Sequence, residues 1–238
     1  MTKTRDLADL GGGFIQAGTG AQQRTVESKL QDVVSVKDFG AVGDGVTDDT
    51  NAIRSAIDAN QGKRIYFPPG TYRYAGTNDP AHYLTTGTVI VGAGRYTTTI
   101  LATTAGVGSL FYCQGYGSGV EKMGFDAEVT QTTGRYVYLV GPESYIEDFF
   151  MTNDFCGIEM TGSVSQIRHG RFQDAAPGGT RIICGGGDNS QTISNVLMGA
   201  QSPPNIAAAG IRLRNCIALT MNNVSVIQQN VGLLIDPD

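Results

Sequence analysis

The sequence predicts an all-β fold, a parallel β-helix, on three observations. A pair of short strands recurs once per 21 to 28 residues through the second half of the 238-residue chain. A glycine turn, a helix start, a short amphipathic helix and a strand–turn–strand follow one another over FGAVGDGVTDDTNAIRSAIDANQGKRIYFPPGTY, Phe39 to Tyr72. The composition has 33 glycines without the collagen period, 16% charged residues and no tryptophan, which suits a chain of many turns and stacked strands.

Taken in chain order, Leu10–Gly20 is a glycine-rich extended connector, and Arg24–Asp32 reads as one short helix capped by Thr25. Val33–Val36 lead into the turn Gly43-Asp44-Gly45, where glycine tolerates positive φ and aspartate bonds its own backbone. Thr47 or Asp48 can cap a helix whose first turn gains negative charge from Asp49. Ile53, Ala56 and Ile57 share one helical face, and Gly62 is placed to end the helix in the left-handed conformation. Ile65-Tyr66-Phe67 then make a strand, Pro68-Pro69-Gly70 a turn, and Thr71–Tyr74 a second strand. So short a helix is not stable alone in water and must lie on an apolar surface, such as the open end of a coil. Asp44, Asp48 and Asp49 therefore read as turn and cap residues, and their spacing does not fit a calcium loop.

The repeat sits in Val120–Phe125, Ile146–Met151, Ile167–Phe172, Ile193–Met198 and Met221–Val226. All fit apolar-x-x-apolar-x-apolar except where Gly170 stands at the middle apolar position. Companion strands precede them at Leu110–Cys113, Tyr136–Val140, Gly157–Met160, Arg181–Cys184 and Gly210–Leu213, and Gly232–Ile235 begins another turn. No helical periodicity supports an α-solenoid, and a propeller needs about four strands per blade. Stacked coils, each about 4.8 Å above the last, bury the apolar positions and turn the others outward in ladders. One outward ladder reads Lys122, Asp148, His169, Asn195, Asn223, and its neighbour reads Glu121, Glu147, Arg168, Ser194, Asn222. Asn195 over Asn223 resembles an asparagine ladder. Lys122–Asp148–His169 reads as a charge ladder on a turn, with a proton-handling group as the alternative.

The segment Phe39–Gly45, Thr47–Thr50, Ala52–Ile53 and Phe67–Tyr72 resembles the N-terminal signature of the pectate-lyase-like superfamily of right-handed parallel β-helices, shared by polygalacturonases, exoglucanases and many bacteriophage tailspikes. In that family the helix caps the bottom of the coil. The string RTVESKLQDVVSVKDFGAVGDGVTDDT looks like the neck of tailspike and tail-fibre proteins. The resemblance covers roughly the first third of the chain. It implies a virion-anchoring neck at 1–36, a β-helix cap at 37–75 and coil rungs at 76–238. It also implies a homotrimer in the phage tail, made in the host cytoplasm, that docks on other tail or baseplate proteins through the residues before about 36 and binds host surface polysaccharide. A depolymerase on the same coil, hydrolase or lyase, is the alternative, and a secreted pectinase-like enzyme a further one. Because Leu233–Asp238 fall in mid-coil, the coil is expected to continue past Asp238 or to be closed by partner chains.

Other classes are disfavoured. A net charge of −5 lacks the basic footprint of nucleic-acid binding. MTKTRDLADL has no secretory h-region, and no run reaches membrane-spanning length. Cys113, Cys156, Cys184 and Cys216 form no CxxC pair and read as buried thiols, Cys113 and Cys184 at equivalent places. Gly92-Ala-Gly94 leads into β-rich sequence rather than a helix, and Gly185–Gly187 lacks the Lys-Ser/Thr of a P-loop, so no cofactor is expected. Neither His82 nor His169 has a metal-ligand partner at useful spacing.

Glycoside hydrolysis commonly uses two carboxyl groups, roughly 5 to 5.5 Å apart for retention and roughly 6.5 to 9.5 Å for inversion. Glu128 and Asp154 share one repeat position, and Asp126 precedes Glu128 by two residues. These three acids are the expected catalytic cluster, on one flank if the strand continues. Tyr72, Tyr74, Tyr83, Tyr96 and Tyr116 are candidates for sugar stacking.

Overall fold

A computed structural model describes residues 15, 17–30, 32–77, 81–106, 108–186, 190–199, 209–227 and 231–236. The segment before residue 15, most of the Leu10–Gly20 connector and Pro237–Asp238 lie outside the described residues. The chain divides into two units, Met1–Val34 and Ser35–Asp238. In the first, the helix spans Val26–Leu30, with the Ser28 amide donating to Thr25 Oγ1 at 3.0 Å and Arg24 paired to Asp32 at 2.8 Å.

The second unit is a parallel β-solenoid of about seven turns. One sheet carries the repeat strands Gly119–Ala127, Tyr145–Met151, Gln166–Phe172, Ser190–Met198 and Ala218–Val226, each parallel to the next. A seven-stranded sheet carries the companions, from His82–Leu84 and Ser109–Cys113 up to Val231–Ile235. In-register pairing builds continuous interior columns. One runs Ile65, Ile90, Val120, Ile146, Ile167, Ile193, and the facing sheet supplies Leu84, Cys113, Leu139, Met160, Cys184. Cys113 and Cys184 thus stand in one column, and all four cysteines are free. Burying such columns supplies the stabilisation, at about 25 cal/mol per Å² of apolar surface.

Gly170 breaks the pattern for a steric reason. A Cβ there would lie 1.9 Å from Phe149 Cζ. The Phe149 ring occupies that space and meets Phe172 edge-on at 5.3 Å.

The Phe39–Tyr72 segment differs from expectation in detail. Its helix spans Thr50–Ala59 and buries Ile53, Ala56 and Ile57, but Asp49 holds the N-cap position without a side-chain cap bond. The Asp49 carboxylate instead accepts from the Val42 and Gly43 amides at 2.6 and 3.2 Å. Asp48 accepts from the Thr50 amide at 2.9 Å, and Asp44 from the Val46 and Thr47 amides at 2.8 and 2.7 Å. The helix stops at Asn60, so Gly62, at φ +79°, belongs to the following turn. All three aspartates are committed to local backbone. Tyr72 and Tyr74 are buried, which removes them as sugar platforms, whereas Tyr83, Tyr96 and Tyr116 are exposed.

Candidate functional site: a groove along the bend ladder

The repeat strands are not straight. Each bends at one residue: Lys122, Asp148, His169, Asn195 and Asn223, with φ of 55°, 54°, 52°, 53° and 51°. The pairing skips these positions, for Glu121 pairs Glu147 and Met123 pairs Phe149 while Lys122 and Asp148 are passed over. A left-handed residue turns the strand and throws its side chain outward. Below Lys122 the same corner is made differently. Strands Val89–Gly92 and Thr98–Ala102 pair the two halves of Gly119–Ala127, and the residues between them, 93–97, leave the coil as a loop. That loop carries Arg95 and Tyr96 up over the ladder. Arg95 Nε lies 3.4 Å from Asp148 Oδ1, and Arg95 Nη1 donates to the His169 carbonyl at 3.1 Å.

The result is a groove of about 780 Å³ on the outside of the coil. Its lining includes Arg95, Tyr96, Glu121, Lys122, Glu147, Asp148, His169, Arg171 and Asn195. Tyr96 is 60% exposed, rests on Phe150 at 5.2 Å and receives the Arg95 guanidinium 5.1 Å from its centroid. Glu121 and Glu147 are register partners on adjacent rungs. Each has its own guanidinium: Arg64 at 2.6 Å from Glu121 and Arg168 at 2.8 Å from Glu147. Burial pushes the Glu121 carboxyl up, but Arg64 and the Tyr145 hydroxyl, which donates at 2.6 Å, outweigh it and hold the carboxyl below its ordinary value. Burial and that same bond raise Tyr145 to about 12.

A hydrogen-bonded chain runs along the bend. Asn223 Nδ2 donates to Asn195 Oδ1 at 2.8 Å, and Asn195 Nδ2 stands 3.2 Å from His169 Nε2. His169 Nδ1 then faces Glu147 Oε1 at 3.4 Å. With the amide donating to Nε2, the network assigns the imidazole proton to Nδ1, directed at Glu147. The asparagine ladder read from the sequence is therefore present, and the charged ladder continues it.

The three acids singled out from the repeat differ in exposure and in partner. The strand ends at Ala127, and Glu128 lies exposed beyond it, paired to Arg73 at 2.7 Å beside a small pocket of about 160 Å³. Asp126 Oδ1 accepts from Asn153 Nδ2 at 2.8 Å. Asp154 is 1% exposed and faces Arg181 inside the coil at 3.3 Å. Burial raises its carboxyl to about 6 against the pull of Arg181. Glu128 and Asp154 share a repeat position, but one falls past the strand end and the other opens the next strand inward. Sequence reasoning missed Arg95, Tyr96 and Arg171 as partners of the ladder. The signal was the interruption between Val91 and Thr98, which has no counterpart in later rungs. Among the described residues no three His, Cys, Asp or Glu side chains gather as metal ligands.

Comparison with known proteins agrees with this architecture. Residues 33–135 match the family model described as rhamnogalacturonase A/epimerase, pectate lyase-like. The family match covers less than half of the chain, and the parallel β-helix fold is shared with solved tailspikes. The tailspike of E. coli bacteriophage HK620, solved in complex with a pentasaccharide, superposes with a TM-score of 0.67 at 16% identity, covering 93% of this chain and 45% of that one. The catalytic unit of the GH87 α-1,3-glucanase from Streptomyces thermodiastaticus aligns at TM-score 0.58 and 19% identity over 92% of this chain and 44% of the enzyme. In sequence, mannuronan C5-epimerase AlgE5 of Azotobacter vinelandii is 49% identical over 72 residues, 28% of this chain and 7% of the epimerase. The chain thus spans less than half of each of these proteins.

Proposed function

We propose that the chain is a tailspike subunit that binds host surface polysaccharide through the groove along the bend ladder. The observation that carries this is the groove itself. It is an outward channel several rungs long with an exposed aromatic and paired charges, on a coil of the kind found in a tailspike solved with a pentasaccharide. Attachment to the virion through residues before about 36, trimerisation and a role in adsorption belong to the same reading. Retardation of the protein in gels cast with host capsule or lipopolysaccharide tests it. Binding should weaken at least tenfold in Tyr96→Ala, since aromatic anchors dominate such contacts. Unchanged migration in every host glycan would remove the reading. Sedimentation of the full-length protein as a monomer would remove the trimer.

A second reading, cleavage of the bound glycan, has its own support. Glu121 and Glu147 sit one rung apart on one groove wall, the scale on which paired carboxyls act in glycoside hydrolysis. New reducing ends or unsaturated uronates would reveal cleavage. Loss of release in Glu121→Gln or Glu147→Gln places the chemistry in the groove. Loss only in Glu128→Gln, Asp126→Asn or Asp154→Asn returns it to the acids proposed from the repeat. No release from the full-length protein leaves binding alone.

A further inference from the structure

One end of the coil holds a buried imidazole. His82 is 1% exposed, and neither of its ring nitrogens has a hydrogen-bond partner among the described residues. Tyr74 meets the ring edge-on at 5.5 Å, and the Phe111 ring lies 6.0 Å away. The Tyr74 hydroxyl is likewise buried without a hydrogen-bond partner among the described residues. The backbone passes close to it because residue 76 is glycine: a Cβ there would lie 2.3 Å from that oxygen.

The groups around the imidazole disfavour its protonation. The helix Thr50–Ala59 packs on the strand His82–Leu84 and brings Arg54 to bear on the ring. The strand Gly70–Tyr74 offers a phenol, and the strand Ser109–Cys113 offers a phenyl ring and a thiol that burial keeps neutral. Asp48, the carboxylate that bears on Tyr74, is bonded to the Thr50 amide and hydroxyl. An imidazolium in this place would face a guanidinium and two aromatic rings, and none of these groups offers it a carboxylate oxygen.

The strand that carries His82 is weakly held. It has three residues, stands last in the seven-stranded sheet and pairs on one side to Ser109–Cys113. On its other side the Gln61 side chain donates to the Tyr83 carbonyl at 2.8 Å and accepts from the Thr85 amide at 2.9 Å. Opening so short an edge element costs less than unfolding the coil.

We propose that His82 is an acid-operated latch: protonation of its imidazole releases the strand His82–Leu84 and loosens the helix Thr50–Ala59 packed on it, while the later rungs stay folded. Release frees the ring to take its proton in water and turns Ser109–Cys113 into the exposed edge of the sheet. The proposal is independent of what the groove binds.

Hydrogen exchange of the full chain between pH 7 and 4.5, corrected for the intrinsic pH dependence of amide exchange, tests it. Protection at Tyr83, Leu84 and the helix should fall by about tenfold per pH unit below about 6.5, while Ile193–Met198 keeps its protection. His82→Phe should abolish that fall. Arg54→Gln, which removes the opposing charge, should shorten the pH range over which it occurs. Protection at Tyr83 and Leu84 that does not change with pH, that falls in step with Ile193–Met198, or that still falls in His82→Phe would overturn the latch. A reading without any substitution comes from the imidazole signals in NMR, of which the chain has two. The His82 signal should keep its neutral position well below pH 6 in the closed protein, and a signal that titrates near 6.5 without loss of protection would overturn the latch as well.

Discussion

Single residues in this molecule settle matters that the pattern around them leaves open. Gly170 occupies a place that an apolar residue takes in every neighbouring rung, because the Phe149 ring already fills it. Gly170→Ala is expected to destabilise the protein by about 1–3 kcal/mol through overpacking. Gly170→Ala with Phe149→Leu should recover part of that loss in thermal denaturation. Asp154 is a second case. Its carboxyl, raised from 3.8 to about 6 by burial, binds a proton in the folded state where the unfolded state has released it. Its stabilising contribution is therefore full below pH 3.8 and is lost as pH rises through about 6. Asp154→Asn should match the wild type in acid and gain on it as pH rises from about 4 to about 6, by roughly 1.4 kcal/mol per unit at most. A gap that widens in the opposite direction would show that Arg181 dominates the site. The repeat made Asp154 visible as an acid in register, but not its inward direction, because one residue past a strand end decides which side of the wall a carboxylate occupies.

At the scale of the element, the bend ladder is the feature most fully legible in the sequence. Its positions were predictable because a period of one coil brings equivalent residues into contact, and Asn195 over Asn223 bears this out. The groove beside it was not predictable. It depends on residues 93–97 leaving the coil, and on Arg95 reaching rungs far along the chain. Short-range pattern carries no information about such a reach. Asn195 holds the left-handed turn and bonds on both sides. Asn195→Ala should cost about 1–2 kcal/mol in urea denaturation, from the backbone penalty and the lost bonds. Asn195→Gly should cost less than its lost bonds alone suggest, since glycine accepts the turn. The helix start shows the reverse: local propensity favoured Thr47 or Asp48 as cap, yet the Val42 and Gly43 amides captured Asp49, and the helix begins after it.

The whole molecule answers to pH through groups distributed along the coil. His82 is buried between Tyr74 and Phe111, neither ring nitrogen has a hydrogen-bond partner among the described residues, and burial, with Arg54 nearby, lowers it from 6.5 to about 3. The unfolded chain gains this proton as pH falls below 6.5 while the folded chain resists, so stability declines from 6.5 towards 3. Asp154 opposes that trend between 6 and 3.8. Glu121, Asp44 and Asp236, all held low, add to the decline at the acid end. The protein should thus keep most of its stability to about pH 4 and lose it steeply below. His82→Phe, which removes both ring nitrogens and keeps a ring against Tyr74, should leave the Asp154 contribution unopposed, so that stability rises as pH falls from about 6 to 3.8. An unchanged slope in that variant would exclude His82 as its source.

One residue per coil forms each step of the bend ladder, and the coils share one register along their interior columns. The wall of the groove is consequently a ruler as well as a surface. Duplicating or removing one coil above Asn195 would lengthen or shorten it by a single mark, leaving the spacing of all the others untouched. A lineage carrying such a scaffold could change the length of the groove without redesigning any contact already made.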